Sequence, residues 1–143
     1  MQPLDTIRWR ILAVLHFFIG ITAILGGGAL VVWPSGTMLQ LPLTLLAQSP
    51  FHDFLLPGFL LYGAVGVHNL IACFVVAKRE SGAELISFSA GCALLLFLVC
   101  QMAMVGSLWF QALYGALALI VVLDAVWIRR STRALPQVIS ARS

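Results

Sequence analysis

Four blocks of apolar residues divide the chain, each about as long as the roughly 20 residues that a helix rising 1.5 Å per residue needs to cross a bilayer. They predict helices over residues 11–33, 55–77, 85–105 and 108–128. The polar stretch KRESGAE, residues 78–84, is short enough to make the second and third helices antiparallel neighbours. Gly106 and Ser107 form a tighter turn still, with Ser107 as N-cap of the fourth helix. Asp5 or Thr6 is placed to cap the first. The predicted fold class is all-α: an up-and-down bundle of four transmembrane helices, forming one integral membrane domain over residues 1–143.

Only one connection is long, a structured outer loop over residues 34–54 between the first and second helices. Within it Leu39, Leu41, Leu43 and Leu45 alternate with Gln40, Pro42 and Thr44, the period of extended chain. Pro42 cannot donate to a ladder, so the expectation is an extended strap rather than a central strand, with its leucines on the helix ends. Pro34 ends the first helix, Gly36 follows it, and Ser49 with Pro50 reads as an N-cap and first helical position. Pro57 and Gly58 either kink the second helix or begin the true span after a separate interfacial turn. His52 and Asp53 are an acid/base pair or half a metal site on one reading. Neighbours on a helix point about 100° apart and no third ligand is evident, so the favoured reading is an acid at a helix start.

Composition narrows the class. A chain that is 62% hydrophobic and 9% charged, with mean hydropathy +1.06, belongs in a membrane. The formal charge of +3 does not point to nucleic acid, because the basic residues sit at the ends of apolar blocks and form no patch with stacking aromatics. Arg8, Arg10, Lys78, Arg79, Arg129, Arg130, Arg133 and Arg142 all fall on one side of an up-and-down path. By the positive-inside rule both termini are cytoplasmic, in the inner membrane. Trp9 and Trp127 fall at the inner boundary and Trp33 and Trp109 at the outer one, as an aromatic belt requires. The first apolar block is longer than the roughly 7–15 residues of a signal-peptide core and no A-x-A site follows, so it is retained as a span. The basic tail, residues 129–143, has too little apolar surface to fold alone and is expected to lie frayed at the membrane surface. Cys73, Cys92 and Cys100 lie inside apolar blocks without a CxxC pair and read as buried thiols.

In lipid, helices approach where side chains are small. Ala83, Ser87 and Gly91 form such a stripe at spacing four on the third helix. Ala23 with Gly27, Gly63 with Gly66, and Ala112 with Ala116 are shorter candidates on the others. Intramolecular packing is the expected use; a stripe left unused inside the bundle would be free to seat a partner.

Ionisable and amide groups inside a span are costly, so His16, His68, Asn69, Gln101 and Asp124 are the candidates for chemistry. His16 and Asp124 each lie about 7 Å from the inner end of their helices. One reading pairs Asp124 with Arg129 or Arg130. The sharper one couples Asp124 to His16, with His68 and Asn69 closing a ligand-binding site for a polar head group or a proton. Haem held by His16 and His68 is disfavoured, because the two rings differ in height by about 6 Å. No cofactor or metal is otherwise implied, and there is no GxSxG, HExxH, P-loop or dinucleotide fingerprint.

Taken together, Pro34, Gly36, the LPL of Leu41, Pro42 and Leu43, the SPF of Ser49, Pro50 and Phe51, then Asp53 and the FLLPG of residues 54–58 resemble a pattern of small bacterial four-helix integral membrane proteins. That resemblance implies the four-helix fold and no activity. The favoured function is a non-enzymatic membrane protein, an accessory or scaffolding subunit or a lipid-binding module. Its partners would be membrane lipids, with a larger membrane protein or a second copy of the chain beside them. The alternative is a small carrier or membrane enzyme with a polar site at His16, His68 and Asp124 under the outer strap.

Overall fold

The computed structural model describes residues 3–105 and 109–140, and every regular element in them is helical. Helix α1 covers Pro3–Val32, α2 covers Leu55–Lys78, α3 covers Ala83–Val105 and α4 covers Trp109–Ser140. Each contains a segment long and apolar enough to cross a membrane. Roughly a third or less of each such segment is buried inside the protein, and Val14, Leu25, Leu96 and Leu123 are each about two-thirds exposed. That much exposed apolar surface is unfavourable in water and neutral in lipid.

Three boundaries differ from expectation. The first helix is already under way at Pro3, so Asp5 and Thr6 lie within it and do not precede it; proline is tolerated in a first turn, whose amides have no intrahelical partner. The tail does not fray at residue 129, since α4 continues to Ser140, through Pro136. The Gly106–Ser107 turn and the Ser107 cap lie outside the described residues.

Helices α1 and α2 form one close pair and α3 and α4 another. Missing side chains permit both. A Cβ at Gly27 of α1 would stand 2.5 Å from the backbone nitrogen of Tyr62 and 2.8 Å from the Gly58 carbonyl oxygen of α2. A Cβ at Gly91 of α3 would meet Val122 of α4 at 2.7 Å. The stripe of Ala83, Ser87 and Gly91 is thus buried within the chain, whereas Ala112 and Ala116 of α4 are exposed. Between the pairs, α2 packs on α3, and α1 meets α4 more sparsely, through a Phe18–Tyr114 ring stack with centroids 6.4 Å apart.

Helix α2 neither breaks nor starts late at Pro57 and Gly58. Pro57 occupies the first turn, where its missing amide costs no hydrogen bond, and Gly58 lies against Leu30 of α1. The departure from regular geometry comes one turn later, where Leu60–Val67 winds as π-helix. Asp53 starts the helix by accepting the Leu55 amide at 3.0 Å, so it serves the helix start and not an acid/base pair with His52.

The long connection is not an extended strap. It contains two 3₁₀ turns, Thr37–Leu39 and Leu43–Leu46. Gly36 turns the chain at φ +74°, a conformation open to glycine without strain, and its carbonyl accepts the amides of Leu39 and Leu41. Ser49 and Pro50 do not open a helix; Ser49 Oγ accepts the Phe51 amide and donates to the Leu46 carbonyl in a local turn. The Phe54 amide donates to the Pro34 carbonyl at 2.8 Å, tying the two ends of the connection together. Leu46 and Phe54 are buried with Leu30 of α1, and Leu41, Leu45 and Phe51 pack around them. The alternation of leucines therefore reflects turns that bury some of them, while Leu39 and Leu43 remain exposed.

Candidate functional site

Two arrangements bear on function: a polar cluster deep between the helix pairs and an apolar cavity beneath the long connection. The polar cluster centres on His16, which is fully buried. Its Nδ1 lies 2.8 Å from Oδ1 of Asn69 on α2, and its Nε2 lies 2.7 Å from Oγ of Ser87 on α3. Asn69 Nδ2 donates to the Val65 carbonyl, so Oδ1 is left as the acceptor. A neutral imidazole satisfies the set, with Nδ1–H donating to Asn69 and Nε2 accepting from the Ser87 hydroxyl. Val65 belongs to the π-helical stretch, so the Asn69 side chain donates to a carbonyl of that stretch. Among the described residues no buried side-chain polar atom lacks a partner.

The other predicted members of the site lie elsewhere. Both ring nitrogens of His16 are taken by Asn69 and Ser87, and Asp124 Oδ1 pairs instead with Arg8 Nη1 at 3.2 Å, with both side chains partly exposed. The Arg8 guanidinium also stacks 3.8 Å above the Trp127 ring. A charge able to reach a cation on α1 gains more from it than from a neutral imidazole. His68, next in sequence to Asn69, is not hydrogen-bonded to His16; its Nε2 lies 3.0 Å from the Ser89 hydroxyl. Of the four residues grouped from sequence, His16 and Asn69 share a hydrogen bond.

Ser87 was visible only as a small residue in a packing stripe. A hydroxyl at a small-residue position inside a span is itself a signal, because such groups hydrogen-bond across helices. Arg8 reads in sequence only as a topology marker.

The cavity, about 180 Å³, is closed on one side by Leu41, Leu45, Leu46, Phe51 and Phe54 of the connection and on the other by residues of α1 to α4. It abuts a second cavity of about 110 Å³ that reaches in along α3 to Leu94. Leu61, Phe97, Gln101 and Phe110 line both. No charged side chain among the described residues lines either. An apolar cavity with few polar groups is the usual form of a small-molecule site. Among the described residues there is no cluster of three metal-ligating side chains, His52 and Asp53 included. Comparison with protein-family models, with curated proteins and with solved structures found no match to this chain.

Proposed function

We propose that this protein is a non-enzymatic integral membrane protein that binds an apolar lipid-like molecule beneath the connection at residues 33–54. In this reading the helices form an up-and-down bundle in the cytoplasmic membrane, with both termini cytoplasmic and the connection on the outer side, an orientation supported by the placement of Lys and Arg. The observation that carries it is the uncharged cavity roofed by Leu46 and Phe54. Satisfaction of His16 by Asn69 and Ser87 supports the same reading, since a saturated cluster ties helices together and has no free group to offer a substrate.

An accessory-subunit role draws on a different observation, the exposed Ala112 and Ala116 on α4. Native mass spectrometry of the chain released gently from its own membrane separates the two. A reproducible small-molecule adduct on the 15.5 kDa chain supports lipid binding; a larger co-purifying protein with no adduct overturns it in favour of the accessory role.

A further inference from the structure

A cavity of different chemistry lies at the other end of the close α3–α4 pair. About 280 Å³ in volume, it is lined by Glu84 and Phe88 of α3 and by Ala125, Val126, Arg129 and Arg130 of α4. Cys100 of α3 lines the cavity beneath the connection, and about 18 Å of helical rise separates it from Phe88. The two spaces are therefore distinct, and a ligand in one does not require a ligand in the other.

The lining is sorted by depth. Phe88 follows Glu84 by four residues, and Ala125 and Val126 precede Arg129 and Arg130 by four, so each charged residue has an apolar neighbour about 6 Å along the same helix face. The apolar neighbours lie toward the middle of the membrane-crossing segments Ala83–Met104 and Trp109–Ser131, and the charged residues lie at their ends. Trp127, 41% exposed, stands between the two groups in the chain, at the depth where aromatic side chains meet the headgroup layer. Phe88 and Arg130 are exposed, so the cavity opens at the surface of the helix pair.

An opening at that depth, cationic at its rim and apolar beneath, has the polarity of a phospholipid. A guanidinium can donate to two phosphate oxygens at once. Successive residues on α4 point about 100° apart, yet Arg129 and Arg130 both line the space, so they flank it from two sides. Glu84 is the one carboxylate among the described lining residues, and in the first turn of α3 its charge is offset by the positive end of the helix dipole. Two guanidinium groups against one carboxylate leave a positive excess, which favours a singly anionic head group over a zwitterion. A free phosphate would meet the arginines and leave Phe88, Ala125 and Val126 uncovered. We propose that this cavity is a site for the phosphodiester head group of an anionic phospholipid, with Arg129 and Arg130 on the phosphate and Phe88 and Val126 against the start of its chains.

The test uses the full-length protein in mild detergent, titrated with phosphatidylglycerol or with phosphatidylethanolamine bearing the same chains, and bound lipid is counted by native mass spectrometry. Phosphatidylglycerol should be retained about fivefold better, the effect of one net basic charge on an anionic lipid. Lipid held beneath the connection creates no such preference, because no charged side chain among the described residues lines that space. Arg130→Gln should remove most of the preference and Glu84→Gln should increase it. Arg10→Gln, which removes an exposed charge outside the cavity, should leave it unchanged. The Glu84 variant keeps both arginines, so it reports on the site even where an arginine variant fails to fold. Equal retention of the two lipids by the wild type overturns the assignment. An equal loss in Arg10→Gln and Arg130→Gln overturns it in favour of diffuse attraction to a basic end of the protein. Displacement of the lipid by an equal concentration of inorganic phosphate overturns it in favour of a small-anion site.

Discussion

His16 and Asn69 stand 53 positions apart in the chain, yet the His16 Nδ1 and the Asn69 Oδ1 are 2.8 Å apart in the fully buried interior. With Ser87 on the opposite side of the ring, the imidazole links α1 and α2 to α3. It is therefore a bridge between the two close helix pairs, made in a place where no water competes for the same groups.

Replacing His16 with leucine should destabilise the protein, because Asn69 and Ser87 are then both left with unmet hydrogen-bonding capacity. The expected loss is about 1–3 kcal/mol, while Ser87→Ala, which removes one partner only, should cost nearer 1 kcal/mol. Equilibrium unfolding in mixed micelles measures both. A His16→Leu variant as stable as the wild type would show that the cluster is not a structural tie.

At Gly27, alanine should cost about 1–3 kcal/mol, since the added carbon meets the Tyr62 backbone and the Gly58 carbonyl, neither of which moves without displacing α2. Gly115→Ala on α4, where nothing lies within 4 Å, should be neutral or slightly stabilising. Thermal unfolding of the two variants side by side checks the pairing of α1 with α2.

The Arg8–Asp124 pair is partly exposed, at 38% and 22% of the side-chain surfaces, so water and salt screen it. Asp124→Asn should cost less than about 1 kcal/mol, and the difference from wild type should shrink in high salt. Measurement of unfolding at low and high ionic strength tests this; a large, salt-independent loss would point to a further role for Asp124.

Leu46 holds the connection onto Leu30 and Phe54. Leu46→Ala should loosen that small core by about 2–4 kcal/mol locally, without comparable effect on the α3–α4 pair. Hydrogen exchange resolved by segment should then show faster exchange of the Leu39, Leu41 and Phe54 amides, whose acceptors lie within the connection, while α3 is unchanged.

Orientation can be tested on a background with Cys73, Cys92 and Cys100 replaced by serine or alanine. A cysteine in place of His52 should react with an impermeant maleimide in intact cells, and one in place of Arg79 only after the membrane is opened. The opposite pattern would invert the proposed topology.

The amino-acid sequence alone determined that this is a membrane chain of four apolar helices, and it placed the ends of α2 and α3 within two residues. Hydropathy is a local, additive property, and 20 apolar residues have few alternatives in lipid. The ends of α1 and α4 were less legible because polar turns can continue a helix beyond the hydrophobic thickness. Period-two leucines in the connection misled for a related reason: alternation records which residues are apolar and does not record the left-handed turns at Gly36 and Gln40 that fold the segment onto itself. Only the tertiary structure decided that His16 meets Asn69 and Ser87, that Asp124 goes to Arg8, and that Gln101 and Tyr114 border the same cavity. Those partners depend on how each helix is rotated and staggered against its neighbours. That is set by the close approach at glycines such as Gly27 and Gly91 and by the π-helical stretch in α2, which shifts the face that Asn69 presents.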